Sequence, residues 1–353
     1  MTIRDFLITT NHPNNRYTSG QTVKGKIHFK LHTPKIIRGV YARFRGIARV
    51  QWEEKRTKES FGKEETTWET YYGEHEYFDE KMYLIGSSDG ESFELTAGEH
   101  NYKFEYNLPI GLPTSFDGPL GNVTYTITAV IDVPWDIDDD VQTKLQVISP
   151  IDLNKVPYLK NPGHVMQAKH LCCLWCRSGP ITVEVNIPKT GFANGEAIHI
   201  RADVENLSNV NITMVECKVT QRVTYHSEYP RSHIKEVETP LCNKRLDGVP
   251  AHSVKAYDEK LKIPDEPVVN FTNCSLFNVE HNFKIKLYID GCHTDSRAKM
   301  PITLGSIPIK FEESLSVSIF DGLGTPYPYE TEQQSSTLSQ TGIYSPDQYG
   351  WAP

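Results

Sequence analysis

Apolar and polar residues alternate along much of this chain with a period of two. Val23, Gly25, Ile27, Phe29 and Leu31 fall on one side of an extended segment, and Lys24, Lys26, His28 and Lys30 on the other. Val40, Ala42, Phe44, Ala48 and Val50 alternate with Tyr41, Arg43, Arg45 and Arg49. Further on, Val215, Cys217, Val219 and Val223 alternate with Glu216, Lys218, Thr220 and Arg222. A period of two marks a half-buried strand. Strands with one apolar and one solvated face are what a two-layer antiparallel sandwich requires. No stretch sustains helical periodicity between caps at both ends. The pattern therefore predicts an all-β fold.

The pattern also repeats once, at the scale of a domain. Tyr17, Gly20 and Val23 are echoed by Phe192, Gly195 and Ile198, and the segment from Val40 is echoed by that from Val215. AGEHNYKFEYNLP (97–109) resembles HSVKAYDEKLKIP (252–264), and YTITAVID (125–132) resembles FKIKLYID (283–290). Four matches in the same order imply one β unit used twice, with Val23 and Ile198 in equivalent strands and a shorter second copy. This places the first sandwich at 1–150, a linker at 151–177, a second sandwich at 178–312 and a tail at 313–353. PIDLNKVPYLKNPGH reads as a Pro-rich, extended connector. After Phe320 the chain turns to Gly, Pro, Ser, Thr, Gln and Tyr without alternation, which predicts a flexible tail.

Composition narrows the class of function. The 353 residues are 38% hydrophobic and 23% charged, enough for two cores. A net charge of −8 argues against a general nucleic-acid binder. The start lacks a signal-peptide profile, and no run of about 18 apolar residues occurs. Seven cysteines, three of them crowded at Cys172, Cys173 and Cys176, make a poor disulfide framework. Reduced thiols and a cytoplasmic setting are expected.

YNLPIGLPTSFDGPLGNVTYTITAVIDVPW, IDLNK, SGPITVEVNIPKTGFANGEAIHIRADVENLS and MPITLGSIPI, in that order, resemble the arrestin family in its α-arrestin, arrestin-domain-containing branch. The resemblance covers roughly residues 1–312. It implies two immunoglobulin-like, seven-stranded-type sandwiches joined by a short linker. It also implies a non-enzymatic adaptor in protein transport and endocytosis. Such an adaptor would link membrane-protein cargo tails to ubiquitin ligases or endocytic machinery, with peripheral association to plasma membrane or endosomes. Two other function classes stand beside it. One is a redox-linked regulator that pairs a free Cys (Cys242 or Cys274) with a thiol oxidoreductase, as one α-arrestin relative suggests. The other is an endosomal coat subunit of the retromer type.

Candidate chemistry is sparse. No nucleophile elbow, P-loop or His-Glu-x-x-His motif appears, and no cofactor is called for. His170, Cys172, Cys173 and Cys176 lack the distant second pair of a zinc site. The same cysteines, beside Leu171, Leu174 and Trp175 and behind Lys155, Lys160 and Lys169, form a candidate lipidation site, weighed against simple packing. Asp136, Asp138, Asp139 and Asp140 lack the spacing and glycine of a calcium loop and read as a solvated acidic loop. The best binding candidate is a basic stripe of Lys24, Lys26, Lys30, Arg43, Arg45 and Arg49. Its two strands are separated only by HTPKIIRG, and a hairpin there would bring all six side chains to one side of a sheet. Such a patch suits a phosphorylated or acidic peptide, a phosphoinositide or an acidic membrane surface. The competing reading is a solvated face neutralised by Glu74, Glu76 and Glu105.

The tail bears on ligase recruitment. In the family, Pro-Pro-x-Tyr motifs bind WW domains. Here Pro326 to Tyr329 and Pro346 to Tyr349 keep the first Pro and the Tyr but lack the second Pro. That loss weakens both the polyproline II bias and the ring that packs on WW aromatics. A tail peptide titrated into an isolated WW domain is expected to bind at roughly tens of micromolar or weaker; submicromolar affinity would show that the second Pro is dispensable.

Overall fold

The computed structural model describes residues 3–60, 63–134, 137–173, 176–177 and 179–311. The first sandwich has eight principal strands: β1 (Ile3–Thr10), β2 (Arg16–Thr18), β3 (Thr22–Leu31), β4 (Gly39–Ser60), β5 (Lys63–Gly86), β6 (Gly98–Asn107), β7 (Gly121–Asp132) and β8 (Asp139–Ile148). One sheet runs β1-β3-β6 and the other β2-β8-β7-β4-β5, with a short Phe116–Gly118 strand added to β7. The second sandwich comprises β9 (Gly163–Lys169), β10 (Ile181–Ile187), β11 (Gly191–Ala193), β12 (Ala197–Asn206), β13 (Ile212–Ser227), β14 (His233–Val249), β15 (Ser253–Lys262), β16 (Phe277–Ile289) and β17 (Ser296–Gly305). Its sheets run β9-β10-β12-β15 and β11-β17-β16-β13-β14.

These orders are the same topology twice. Strands β1 to β8 correspond in chain order to β10 to β17, down to the parallel pairing of β2 with β8 and of β11 with β17. Val23 on β3 and Ile198 on β12 are therefore equivalent, as the sequence repeat predicts. The second copy is shorter partly because its hairpin spans Ile212–Val249, where the first spans Gly39–Gly86. Strand β9 has no counterpart among the described residues of the first sandwich and pairs with β10.

Each sandwich closes over the apolar half of its alternation. Val23, Ile27, Phe29, Val40, Ala42 and Phe44 are buried in the first, and Val215, Cys217, Val219, Ile198 and Ile200 in the second. The sheets meet face to face: Phe44 on β4 stacks on Tyr106 of β6, centroids 4.1 Å apart.

The connector between the sandwiches is not extended. Residues Leu153–Lys155 and Pro157–Lys160 form two short 3-10 turns, and Leu153 and Leu159 pack with Ile309. Asp152 caps the first turn by accepting the Asn154 N–H at 3.0 Å. Two leucines spaced for burial pull this Pro-rich stretch into a compact plug.

The two sandwiches share apolar core. Val223, Tyr225, Phe271, Leu276 and Phe277 of the second half belong to the cluster built around the first. Phe116 meets Phe271 edge-on at 5.1 Å and Phe277 at 5.8 Å, and Tyr225 meets Phe277 at 5.5 Å. Gly118 and Gly121 permit this approach: a Cβ on Gly118 would lie 2.5 Å from the Tyr225 hydroxyl, and one on Gly121 would lie 3.0 Å from the Phe277 ring. Polar bonds frame the seam, with Thr114 N–H donating to the Asn270 carbonyl at 2.8 Å and the Asn270 amide to Ser149 Oγ at 3.1 Å. The described residues up to Lys310 form one compact unit.

Two outcomes are expected. Phe277→Ala should cost about 3–5 kcal/mol and lower the melting of both sandwiches in one calorimetric transition; two separate transitions in the parent would show that the seam does not couple them. His281 is buried, with Gln221 at 3.4 Å, and desolvation pushes its pKa down to about 4. The unfolded chain takes up that proton near pH 6.5 and the folded chain only near 4, so stability is lost as pH falls through this window. The slope reaches about 1.4 kcal/mol per pH unit. Denaturant titrations of parent and His281→Gln between pH 7 and 4 should show this component absent from the variant.

Candidate functional site

The six cations of the basic stripe do not share a surface. Strand β3, carrying Lys24, Lys26 and Lys30, lies between β1 and β6. Strand β4, carrying Arg43, Arg45 and Arg49, lies between β7 and β5 in the opposite sheet. The expected hairpin between them does not form. Each strand has one apolar face, and both must cover the same core, so they face each other across it instead of pairing edge to edge. HTPKIIRG crosses from sheet to sheet, and its Lys35–Ile37 pairs with Phe93–Leu95. The basic residues consequently emerge on two opposite outer faces.

On the β4 face the arginines are neutralised by β5. Arg43 grips Asp79 with two bonds, Nε to Oδ1 at 2.6 Å and Nη2 to Oδ2. Arg45 donates twice to Glu76, at 3.0 and 2.8 Å, and Arg49 donates to Glu74 at 2.7 Å. The hydrogen bond from Arg43 holds the Asp79 carboxyl below its usual range. Paired carboxylates of this kind leave little free potential for an incoming anion. Of the compensating residues expected from sequence, Glu74 and Glu76 act here.

On the β3 face compensation is incomplete. Glu105 meets Lys24 at 3.0 Å, and Glu99 reaches Lys30 only at 4.0 Å. Lys26 lies directly opposite Lys103 of β6, and Arg4 of β1 directly opposite Lys30. Among the described residues, neither the Lys26 nor the Lys103 ammonium lies within salt-bridge distance of a carboxylate. Like charges opposite one another across a ladder destabilise it. A doubly cationic rung is thus a cost that the fold does not need, and a polyanion laid across it would relieve it. His28 sits on the same face, 3.0 Å from the Asn101 side chain. Lys103 escaped the sequence reading, although NYKFEY alternates in the same way: Phe104 and Tyr106 turn inward and Lys103 and Glu105 outward.

The remaining candidates divide. The side chains of Cys172, Cys173 and Cys176, with Leu174 and Trp175, lie outside the described residues, so the zinc and lipidation readings have no geometry to rest on; the backbone pairs Cys173 with Cys176. The tail residues Pro326, Tyr329, Pro346 and Tyr349 also lie outside them. In the acidic loop, where Asp136 is outside the described residues, Asp138 accepts the Val133 N–H at 3.0 Å and Asp139 pairs with Lys35, both fold contacts. Cys242 is half-buried, and desolvation pushes its thiol up, opposite to what an activated thiolate needs. Cys274 packs against the seam between the sandwiches. No helix among the described residues is long and apolar enough to cross a membrane.

Comparison with known proteins agrees with this architecture. The family model for the arrestin (or S-antigen) N-terminal domain matches residues 6–154, and that for the C-terminal domain matches residues 177–309. The chain is 29% identical over 309 residues to arrestin domain-containing protein 17 of Caenorhabditis elegans, covering 86% of this chain and 70% of that protein. It is 30% identical over 299 residues to arrestin domain-containing protein 4 of Mus musculus, covering 83% and 69%. To arrestin domain-containing protein 4 of Homo sapiens it is 27% identical over 336 residues, covering 94% and 75%. With both domain models matched in order on a duplicated sandwich, the chain belongs to the arrestin family, in its α-arrestin branch of arrestin domain-containing proteins.

Proposed function

We propose that this arrestin-type chain is a non-enzymatic adaptor in membrane-protein trafficking, capturing acidic or phosphorylated cargo tails on the β3–β6 face. The Lys26–Lys103 rung carries the reading: two lysines directly opposite in register, neither within salt-bridge distance of a carboxylate among the described residues, flanked by Lys24, Lys30 and Arg4. An extended peptide bearing phosphates or carboxylates would meet cations at successive rungs, about 7 Å apart for every second residue. Family membership supports the adaptor role, since arrestin-family members work as adaptors. Linkage to a ubiquitin ligase or to endocytic machinery would fall to regions beyond this face. The same cations would favour peripheral contact with an acidic membrane surface. The raised Cys242 thiol disfavours the redox reading at that residue.

The test is a titration of inositol hexakisphosphate and a multiply phosphorylated peptide against the full chain. Lys26→Gln with Lys103→Gln should weaken binding about tenfold or more, with melting temperature unchanged or raised because a repulsive rung is removed. Arg43→Glu with Arg45→Glu should instead lower stability, by stranding Asp79 and Glu76, and leave binding intact. Equal binding by the lysine variant and the parent would refute the reading.

A further inference from the structure

The long hairpins of the two sandwiches are joined to each other beyond the apolar seam. Tyr72 of β5 forms an antiparallel bridge with Tyr229, in the turn between β13 and β14, and their rings stack at 5.2 Å. Next to this bridge two carboxylates of the first sandwich meet three cationic or ionisable side chains of the second. Glu69 accepts from Arg231 at 2.9 Å and also from Tyr71 at 2.6 Å and Arg56 at 3.2 Å. Glu54 accepts from Trp52 Nε1 at 3.1 Å, pairs with Lys235 at 3.5 Å, and faces His233 Nε2 at 3.1 Å. The His233 ring lies 4.7 Å from that of Tyr71 and 6.3 Å from that of Trp52. Arg231 also donates to the Tyr71 hydroxyl.

The tautomer follows from these partners. A carboxylate only accepts, so Nε2 carries the proton toward Glu54 and Nδ1 is the acceptor nitrogen of the ring. Protonation at Nδ1 keeps the Nε2–H bond and makes the donor cationic, so that a bond from a neutral imidazole to a carboxylate becomes an ion pair. Imidazole is the side chain that changes charge between pH 5 and 8. The groups facing His233 are Glu54 and Trp52 from β4, Tyr71 from β5, with Glu69 behind it, and Arg231 and Lys235 from its own hairpin. Of these, the two cations are already engaged by carboxylates. The hydrogen bond from Tyr71, then the charges of Arg231 and Arg56, hold the Glu69 carboxyl below its usual range, so that half of the contact persists in mild acid.

We propose that Glu54 and His233 make this contact an acid-tightened clasp between the two sandwiches. The seam sets how the sandwiches pack, and the clasp sets how firmly the projecting part of the β4–β5 hairpin is held against the second sandwich. Mild acidification stiffens it; neutral pH leaves a hydrogen bond from an uncharged imidazole, which thermal motion opens more often. This device is independent of the ligand assigned to the β3–β6 face.

Hydrogen exchange of the full chain tests it, with rates at pH 7.5 and 5.8 normalised to the intrinsic rate at each pH. Peptides spanning residues 50–72 and 227–237 of the parent should gain about threefold protection in acid, while seam peptides around Phe277, close to His281, gain none. His233→Gln, which keeps a donor toward Glu54 but cannot ionise, should lose the gain. Glu54→Gln should lose it as well and show lower protection at both pH values. No gain in the parent, or an undiminished gain in His233→Gln, would overturn the proposal. The parent comparison needs no substitution, so a folding defect cannot conceal the answer.

Discussion

The apolar contact of Phe116 with Phe271 and Phe277, closed by Tyr225 and Leu276, is the constraint on which the rest of this molecule depends. Two sandwiches joined by a Pro-containing connector would by default move independently. Here the second half supplies side chains to the first half's core, so separating the halves would expose several large aromatic surfaces to water. Steric economy makes the contact possible. Gly118, Gly121 and Gly73 each sit where a Cβ would strike the partner sheet or its side chains. Leu153 and Leu159, plugged against Ile309, shorten the connector and restrict it further.

Around that seam the structure uses charge in three ways, and geometry separates them. On β4 and β5, each arginine meets a carboxylate within the ladder, and the outer face is close to self-neutral. On β3 and β6, lysine faces lysine. Between the hairpins, Glu54 and Glu69 reach across to Arg231, His233 and Lys235. The residue types are similar throughout. What differs is the register, which decides whether a side chain's nearest neighbour carries the opposite charge, the same charge or belongs to the other sandwich.

Membership of the arrestin family fits a molecule whose business lies on its outer faces. The largest buried groups are aromatic and aliphatic side chains completing the cores. Buried titratable groups such as Cys217 and His281 are shifted by desolvation toward their neutral forms, which suits packing better than chemistry. The conspicuous ionic features lie at or near the surface, where a partner or a change of solution conditions can reach them.

The sequence by itself determined a good deal. Period-two alternation is local: whether Val23 or Lys24 faces the core follows from the pleat alone, and so the all-β class and many of the strands were legible. The duplication was legible too, because Val23 and Ile198 answer the same packing demand at the same place in a repeated topology. Only the tertiary structure decided which strands became neighbours. Lys24 and Arg43 share a pattern and are close in sequence, yet lie on opposite faces because both strands must cover one core. Lys103 joined the cationic face only once β6 had been laid beside β3. Tyr72 met Tyr229, and Glu54 met His233, through a seam between residues more than 150 positions apart in the chain. Alternation says which way a side chain points; pairing order, set by closing two sheets over shared apolar surface, says what it points at.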